Sequence, residues 1–393
     1  MLAVTGGRLL SPGIPETPGT ILVEGGKITA CGPDSDVAIP PGAEVVDAAG
    51  GFVAPGFVDV HVHGGAGADF MDATAEAVRT VCRYHAAGGT TGLLATTAAA
   101  PLAQLLAALD AAAEARRAGT GGAAVLGVHL EGPYFAPTKH GCHLAGQVRP
   151  PRPEEYLPLL DRYPGLVRWV TLAPEVPGAL ELIAALRQRG ATAAAGHTEA
   201  TEGVIEAAVD AGLSHATHLY CAMSTITKDG PRRIPGLVET ALASDRLTTE
   251  VIADGHHLAP ALLTIAARIK GPDRLLLVTD AMRGAGMPDG VYTFGPPDGS
   301  LAVVEGGVAR TPDNTGFASS TVQMVDLVRQ MVRLAGCTVG EAVQMASLAP
   351  ARALGLDGHK GRLAAGYDAD AVVLDRDLSV RATVVGGDVV YRV

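Results

Sequence analysis

Eight short apolar runs, starting near positions 57, 90, 124, 167, 192, 214, 248 and 274, constrain this chain more than any other feature. Each gives way to a helical pattern, such as TAEAVRTVCRYHAAG, PLAQLLAALDAAAEARRAG or APALLTIAARIKG. Runs with no polar alternation read as strands buried on both faces, the condition of parallel strands flanked by helices. Eight β/α units at spacings of about 20–45 residues predict a (β/α)8 TIM-type barrel, a fold that takes roughly 250 residues as one unit. No GxGxxG leads from a strand into a helix, so a nucleotide-binding doubly wound sheet has no support.

Both chain ends have another texture. LAVTGGRLL, TILVEGGKITACG and AEVVDAAGG at the start, and GRLAAGYDADAVVLD and VRATVVGGDVVYRV at the finish, alternate apolar and polar residues between glycines. They predict a small β-sandwich domain built from 1–52 and 358–393, with 53–357 as the barrel. After the eighth run, GAGMPDGVYTFGPPDGSLAVVEGGVART reads as an inserted loop or hairpin.

Composition excludes several classes. Hydrophobic residues make up 48% and charged residues 18%, as in a globular chain with a large core rather than a disordered one. The net charge of −11 argues against nucleic acid as a partner. No apolar stretch reads as a membrane span or a signal peptide. Five cysteines without a CxxC pair fit free thiols, so the expected location is cytoplasmic.

Metal-ligand side chains recur where the strand-like runs stop. HVH closes the first run, and alternation places His61 and His63 on one side of a strand. Glu131 ends VLGVHLE ahead of Gly-Pro, where an unpaired carboxylate at the edge of a core is costly without a cation. His197 in AGHT and His218 in THLY end the fifth and sixth runs. Asp280 in VTDA ends the eighth, where a barrel hydrolase holds its proton shuttle. The pattern points to a metal-dependent hydrolase. His129 reads as a supporting or core residue and His215 as packed within its strand. His85, His140 and His359 read as loop or solvent-facing residues.

PGFVDVHVHGGAGADFMDA, LATT, HLEGP, TLAPE, AGHT, ATHLY, ADGHH, VTDA and ASLAPARALGL, in that order, carry a family resemblance over nearly the whole chain. The chain resembles the amidohydrolase superfamily and, within it, the N-acetylglucosamine-6-phosphate deacetylase family. One observation favours that branch independently: relatives that bridge two metals through a carboxylated lysine need it on the fourth strand, and VRWVTLAPE has none.

The resemblance implies His197, His218 and Glu131 as ligands of a principal divalent metal ion, with His61 and His63 holding a second ion bridged by Glu131. Zinc suits these donors, and iron, manganese or cobalt are alternatives. The resemblance further implies that His143 donates to the substrate carbonyl and that His257 contacts a small-molecule amino-sugar substrate. The amides of Ala222 and Met223 would hold the sugar phosphate, and the protein would be a homodimer. The family's Asn after THLY is Cys221 here, and the following loop carries Lys228, Arg232 and Arg233 as phosphate-binding candidates. The implied reaction is deacetylation of N-acetylglucosamine 6-phosphate to glucosamine 6-phosphate and acetate. The alternative is another N-acetyl amino sugar, phosphorylated or not, or another N-acylated small molecule. A non-catalytic scaffold would be expected to lack ligands, and this chain carries each candidate.

Overall fold

The computed structural model describes residues 1–393. Eight strands pair in chain order and all in parallel: Phe57–Val62, Thr90–Thr97, Ala124–Glu131, Val167–Leu172, Thr192–Ala195, Leu213–Ala216, Thr248–Val251 and Leu275–Leu277. They are counted first to eighth below. The first strand is buried at every position, as expected where one face meets the barrel interior and the other meets helices.

No ladder joins the first and eighth strands, and the seam closes just past the eighth. There Asp280 N donates to His61 O (2.8 Å) and His63 N donates to Ala281 O (2.9 Å). Beneath those bonds the carboxylate of Asp59, fully buried, accepts from the Thr279 hydroxyl at 2.6 Å. The barrel is therefore drawn shut at its C-terminal mouth, by the segments that carry His61, His63 and Asp280.

The opposite end is plugged with hydrocarbon. Val58, Val60, Leu94, Leu126, Trp169, Ala194, Leu276 and Val278 cluster with Ala349 and Leu354 of the last helical turns. Arg168, near the start of the fourth strand, donates to Leu354 O at 2.6 Å, which fixes that segment below the strand starts. Apolar residues at the floor and polar ones at the mouth make the mouth the chemical end.

The helix Ala75–Ala87 shows how the shell is built. Thr74 caps it by accepting from Ala77 N, and Val78, Val81, Cys82 and His85 are buried at three- and four-residue steps. His85 therefore corrects the sequence reading. Its ring is fully buried, and Nε2 donates to Gly64 O at 3.0 Å. Burial lowers its pKa to about 4, so the ring is neutral.

Both chain ends enter one eight-stranded sheet. Phe52–Pro55 runs antiparallel to Ala371–Leu374 and so stitches the start of the chain to its finish. Alternate residues of these strands, among them Leu2, Val4, Ile21, Val23, Val53, Ala371, Val373, Ala382 and Val384, share one buried cluster. The insertion after the eighth strand is a three-stranded sheet over Gly290–Phe294, Ser300–Glu305 and Val308–Arg310. No helix is long and apolar enough to cross a membrane.

Candidate metal centre

Glu131 stands at the middle of five imidazoles. Its Oε1 lies 3.2 Å from His61 Nε2 and 3.3 Å from both His197 Nε2 and His218 Nε2. Its Oε2 lies 3.1 Å from His63 Nε2 and 3.0 Å from His143 Nε2. Asp280 Oδ1 reaches His63 Nε2 at 3.2 Å and His61 Nε2 at 3.5 Å, and it accepts from Ser319 Oγ at 3.0 Å. All seven residues are buried. Burial alone would push the Glu131 carboxyl up, but the imidazoles of His61 and His143 hold it well below the usual carboxylate range. Asp280 is likewise depressed against burial by His61 and His63, so it is an unprotonated base.

Three of these residues adopt backbone conformations that side chains avoid. His197 (φ 50°), His218 (φ 27°) and Asp280 (φ 45°) are all left-handed, each at the end of a strand. Such positions cost about 1–2 kcal/mol apiece and cluster where geometry serves chemistry. Here the kink turns each side chain off the strand toward Glu131.

The hydrogen bonds behind the rings separate two kinds of histidine. His197 Nδ1 donates to Lys139 O at 2.7 Å and His61 Nδ1 to Glu250 Oε1 at 2.7 Å, so that in the neutral ring, the form that binds a cation, each Nε2 carries the lone pair. His143 is the reverse. Its Nδ1 accepts from Ala99 N at 3.1 Å, so its proton sits on Nε2 and that atom is a donor. His143 falls with Glu131 and His197 in one tight group of metal-binding side chains. The tautomer removes it from the ligand set, because a nitrogen that carries a proton has no lone pair to give.

The donor set fits a divalent ion. The Nε2 atoms of His61 and His63 are buried without a hydrogen-bond partner, although carboxylate oxygens lie close by. Unpaired imidazole nitrogens facing carboxylates, with no Lys or Arg among them, are what an oxygen- and nitrogen-preferring cation completes. His61, His63 and Asp280 form one such group, and Glu131 belongs to the other.

A cavity of about 430 Å³ opens onto these groups. Its wall includes Glu131, His143, His197, His218 and Asp280, and also Ala222, Cys221 and His257. Phe294, from the insertion, packs edge-on against His63 and His143. Met223 is buried in the main core. Lys228, Arg232 and Arg233 lie on an exposed hairpin, Thr227–Asp229 with Arg232–Ile234, outside the wall of this chain's own cavity. His256 is exposed, whereas the His257 ring is held by Asp254 Oδ2 at 2.7 Å and lies on Phe317.

Four contributors escaped the sequence reading: Glu250, Asp254, Ser319 and Lys139, the one Lys or Arg in the cavity wall. Glu250 carried a usable signal. It is an acid inside a buried strand, the same warrant that singled out Glu131. His129 touches none of the acids and bonds instead to Thr171 Oγ1 at 2.8 Å, while its ring meets His61 edge-on.

Comparison with known proteins agrees with this geometry. The amidohydrolase family model matches residues 52–390. N-acetylgalactosamine-6-phosphate deacetylase of Escherichia coli O157:H7 is 41% identical, over 83% of this chain and 84% of that protein. N-acetylglucosamine-6-phosphate deacetylase of Bacillus subtilis (strain 168) is 37% identical over 90% and 88%. The structure of the Mycobacterium smegmatis N-acetyl-D-glucosamine-6-phosphate deacetylase, an aspartate-to-alanine mutant in complex with N-acetyl-D-glucosamine-6-phosphate, superposes with a TM-score of 0.90. It is 39% identical and covers 99% of each chain. On these matches the chain belongs to the amidohydrolase family and, within it, to the N-acetylglucosamine-6-phosphate deacetylases.

Proposed function

We propose that this enzyme removes the acetyl group of N-acetylglucosamine 6-phosphate by metal-dependent hydrolysis. The observation that carries the reading is Glu131 at the centre of five imidazoles, one of which, His143, presents a proton rather than a lone pair. His197, His218 and Glu131 would hold one ion, and His61 and His63 a second with Glu131 between them; zinc is the ion these donors favour. When bound, a divalent ion supplies Lewis acidity, which lowers the pKa of water and polarises an amide carbonyl.

The chain's own groups do the rest. Asp280, ionised and held by Ser319, takes the proton of the attacking water and later gives it to the departing amine. His143 Nε2–H donates to the carbonyl oxygen as negative charge gathers there. His257, steadied by Asp254, meets the sugar from the cavity wall beside Ala222.

Lys228, Arg232 and Arg233 stand outside this chain's cavity, and the family resemblance alone supports a homodimer in which the hairpin serves the neighbouring copy's phosphate site. Residues 1–52 and 358–393 are taken as the small domain and 53–357 as the barrel. Five unpaired cysteines favour a reducing, cytoplasmic setting.

The test compares kcat/KM for N-acetylglucosamine with and without the 6-phosphate. A difference under about tenfold, roughly 1.4 kcal/mol, would refute the phosphorylated substrate. A second reading, the galactosamine epimer, is favoured by the 41% identical relative, and the same assay run on both 6-phosphates decides between them.

A further inference from the structure

Glu250 is completely buried in the seventh strand, and no Lys or Arg touches it. Three donors surround it. Oε1 accepts from His61 Nδ1 at 2.7 Å and from the backbone N–H of His218 at 3.1 Å, and Oε2 accepts from His215 Nε2 at 3.1 Å. Its partners thus sit on the first strand, on the sixth, and at the left-handed residue that follows the sixth.

A neutral imidazole carries one proton, and the partner behind the ring decides which nitrogen holds it. With a carboxylate at 2.7 Å from Nδ1, the proton of His61 stays there and the Nε2 lone pair points between Glu131 and Asp280. His63, two residues on, has no such partner: its Nδ1 is buried and unpaired. Of the two histidines in the HVH motif, only His61 has its lone pair set by the protein.

We propose that Glu250 is the positioning residue that makes His61 an ion ligand, and so governs occupancy of the second ion position while leaving the first intact. This rests on reading His61, His63 and Glu131 as ligands. The selectivity follows from the contacts. His197 is oriented by the Lys139 carbonyl, and His218 takes only a backbone bond from Glu250, which a neutral amide oxygen can also accept. What a Glu250→Gln change removes is the charge behind His61, together with the acceptor for His215 Nε2–H, a ring that is not among the ligands.

The experiment counts ions per chain, by elemental analysis, across a graded chelator series for wild type and Glu250→Gln. In the variant, one ion should leave at about 10–100-fold lower chelator, the usual effect of losing a ligand's outer partner, while the other leaves as in wild type. Two ions released as in wild type, or both shifted equally, would overturn the proposal alone. A wild-type chain that holds no ion would overturn the ligand reading, and this proposal with it. A measurement that needs no variant is nitrogen NMR of histidine-labelled, metal-loaded protein. It should find His61 protonated on Nδ1 and bound to the ion through Nε2, and a His61 bound through Nδ1 or protonated on Nε2 would refute the assignment even if Glu250→Gln fails to fold.

Discussion

Two clusters of charge in this molecule are settled differently. Where the chain ends meet, Lys360 Nζ lies 2.6 Å from Asp370 and 2.9 Å from Asp368, and Lys27 closes on Asp368 at 2.6 Å. There every acid faces an ammonium supplied by the chain. At the barrel mouth Glu131, Asp280 and Glu250 face imidazoles, one hydroxyl and one backbone N–H but no Lys or Arg, and the Nε2 atoms of His61 and His63 have no hydrogen-bond partner. The first cluster is complete as folded, whereas the second is complete only with a cation. A structural ion-pair network and a catalytic centre can thus be told apart by whether the protein finishes its own electrostatics.

The sharpest way to break this contrast is Asp280→Asn. The amide keeps the shape but cannot take a proton, so kcat should fall by roughly 10³-fold or more while ions remain bound, as steady-state rates and elemental analysis would show. A near-normal rate would place the shuttle elsewhere. Glu131→Gln should act earlier, by emptying the site. Wild-type melting should drop on chelation, since an ion at about 1,000 times its Kd contributes roughly 4 kcal/mol, whereas the variant should melt alike with and without chelator.

His143→Gln tests the tautomer argument from the other side. If the ring is a donor, kcat falls by about 10²–10³-fold while the ion count holds; lost ions would return His143 to the ligand set.

The barrel was legible because parallel strands are continuous apolar runs, and all eight lie where those runs start. The mouth residues were legible because ligand-type side chains interrupt those runs at their ends. His85 was misread because its burial depends on a helix face rather than on a strand end. Glu250, an acid inside a buried strand, was legible as unusual but not as a partner of His61, which lies 189 residues away, because a single strand does not record its neighbours. The exposed setting of Lys228, Arg232 and Arg233 depends on a hairpin whose direction no local pattern gives.

The smallest effect is expected at the finished cluster. Lys360→Met should lower stability by about 2 kcal/mol, less than the roughly 3–5 kcal/mol of a fully buried pair, because Lys360 and Asp368 keep 12% and 21% of their side-chain surface exposed. Metal content and kcat should not change. Burial alone would lower the Lys360 ammonium, but Asp370 and Asp368 raise it above its ordinary 10.5. Its contribution is therefore whole below 10.5 and is lost as pH climbs through the raised value. Burial alone would raise Asp368, yet Lys27 and Lys360 hold it under its ordinary 3.8, so its share is present above 3.8 and is lost as pH falls through the depressed value. Denaturant melts should thus show the gap between wild type and Lys360→Met constant from about pH 5 to 9 and closing at both extremes. A gap that instead tracks added metal would show the two clusters to be coupled, and the distinction drawn between them would fail.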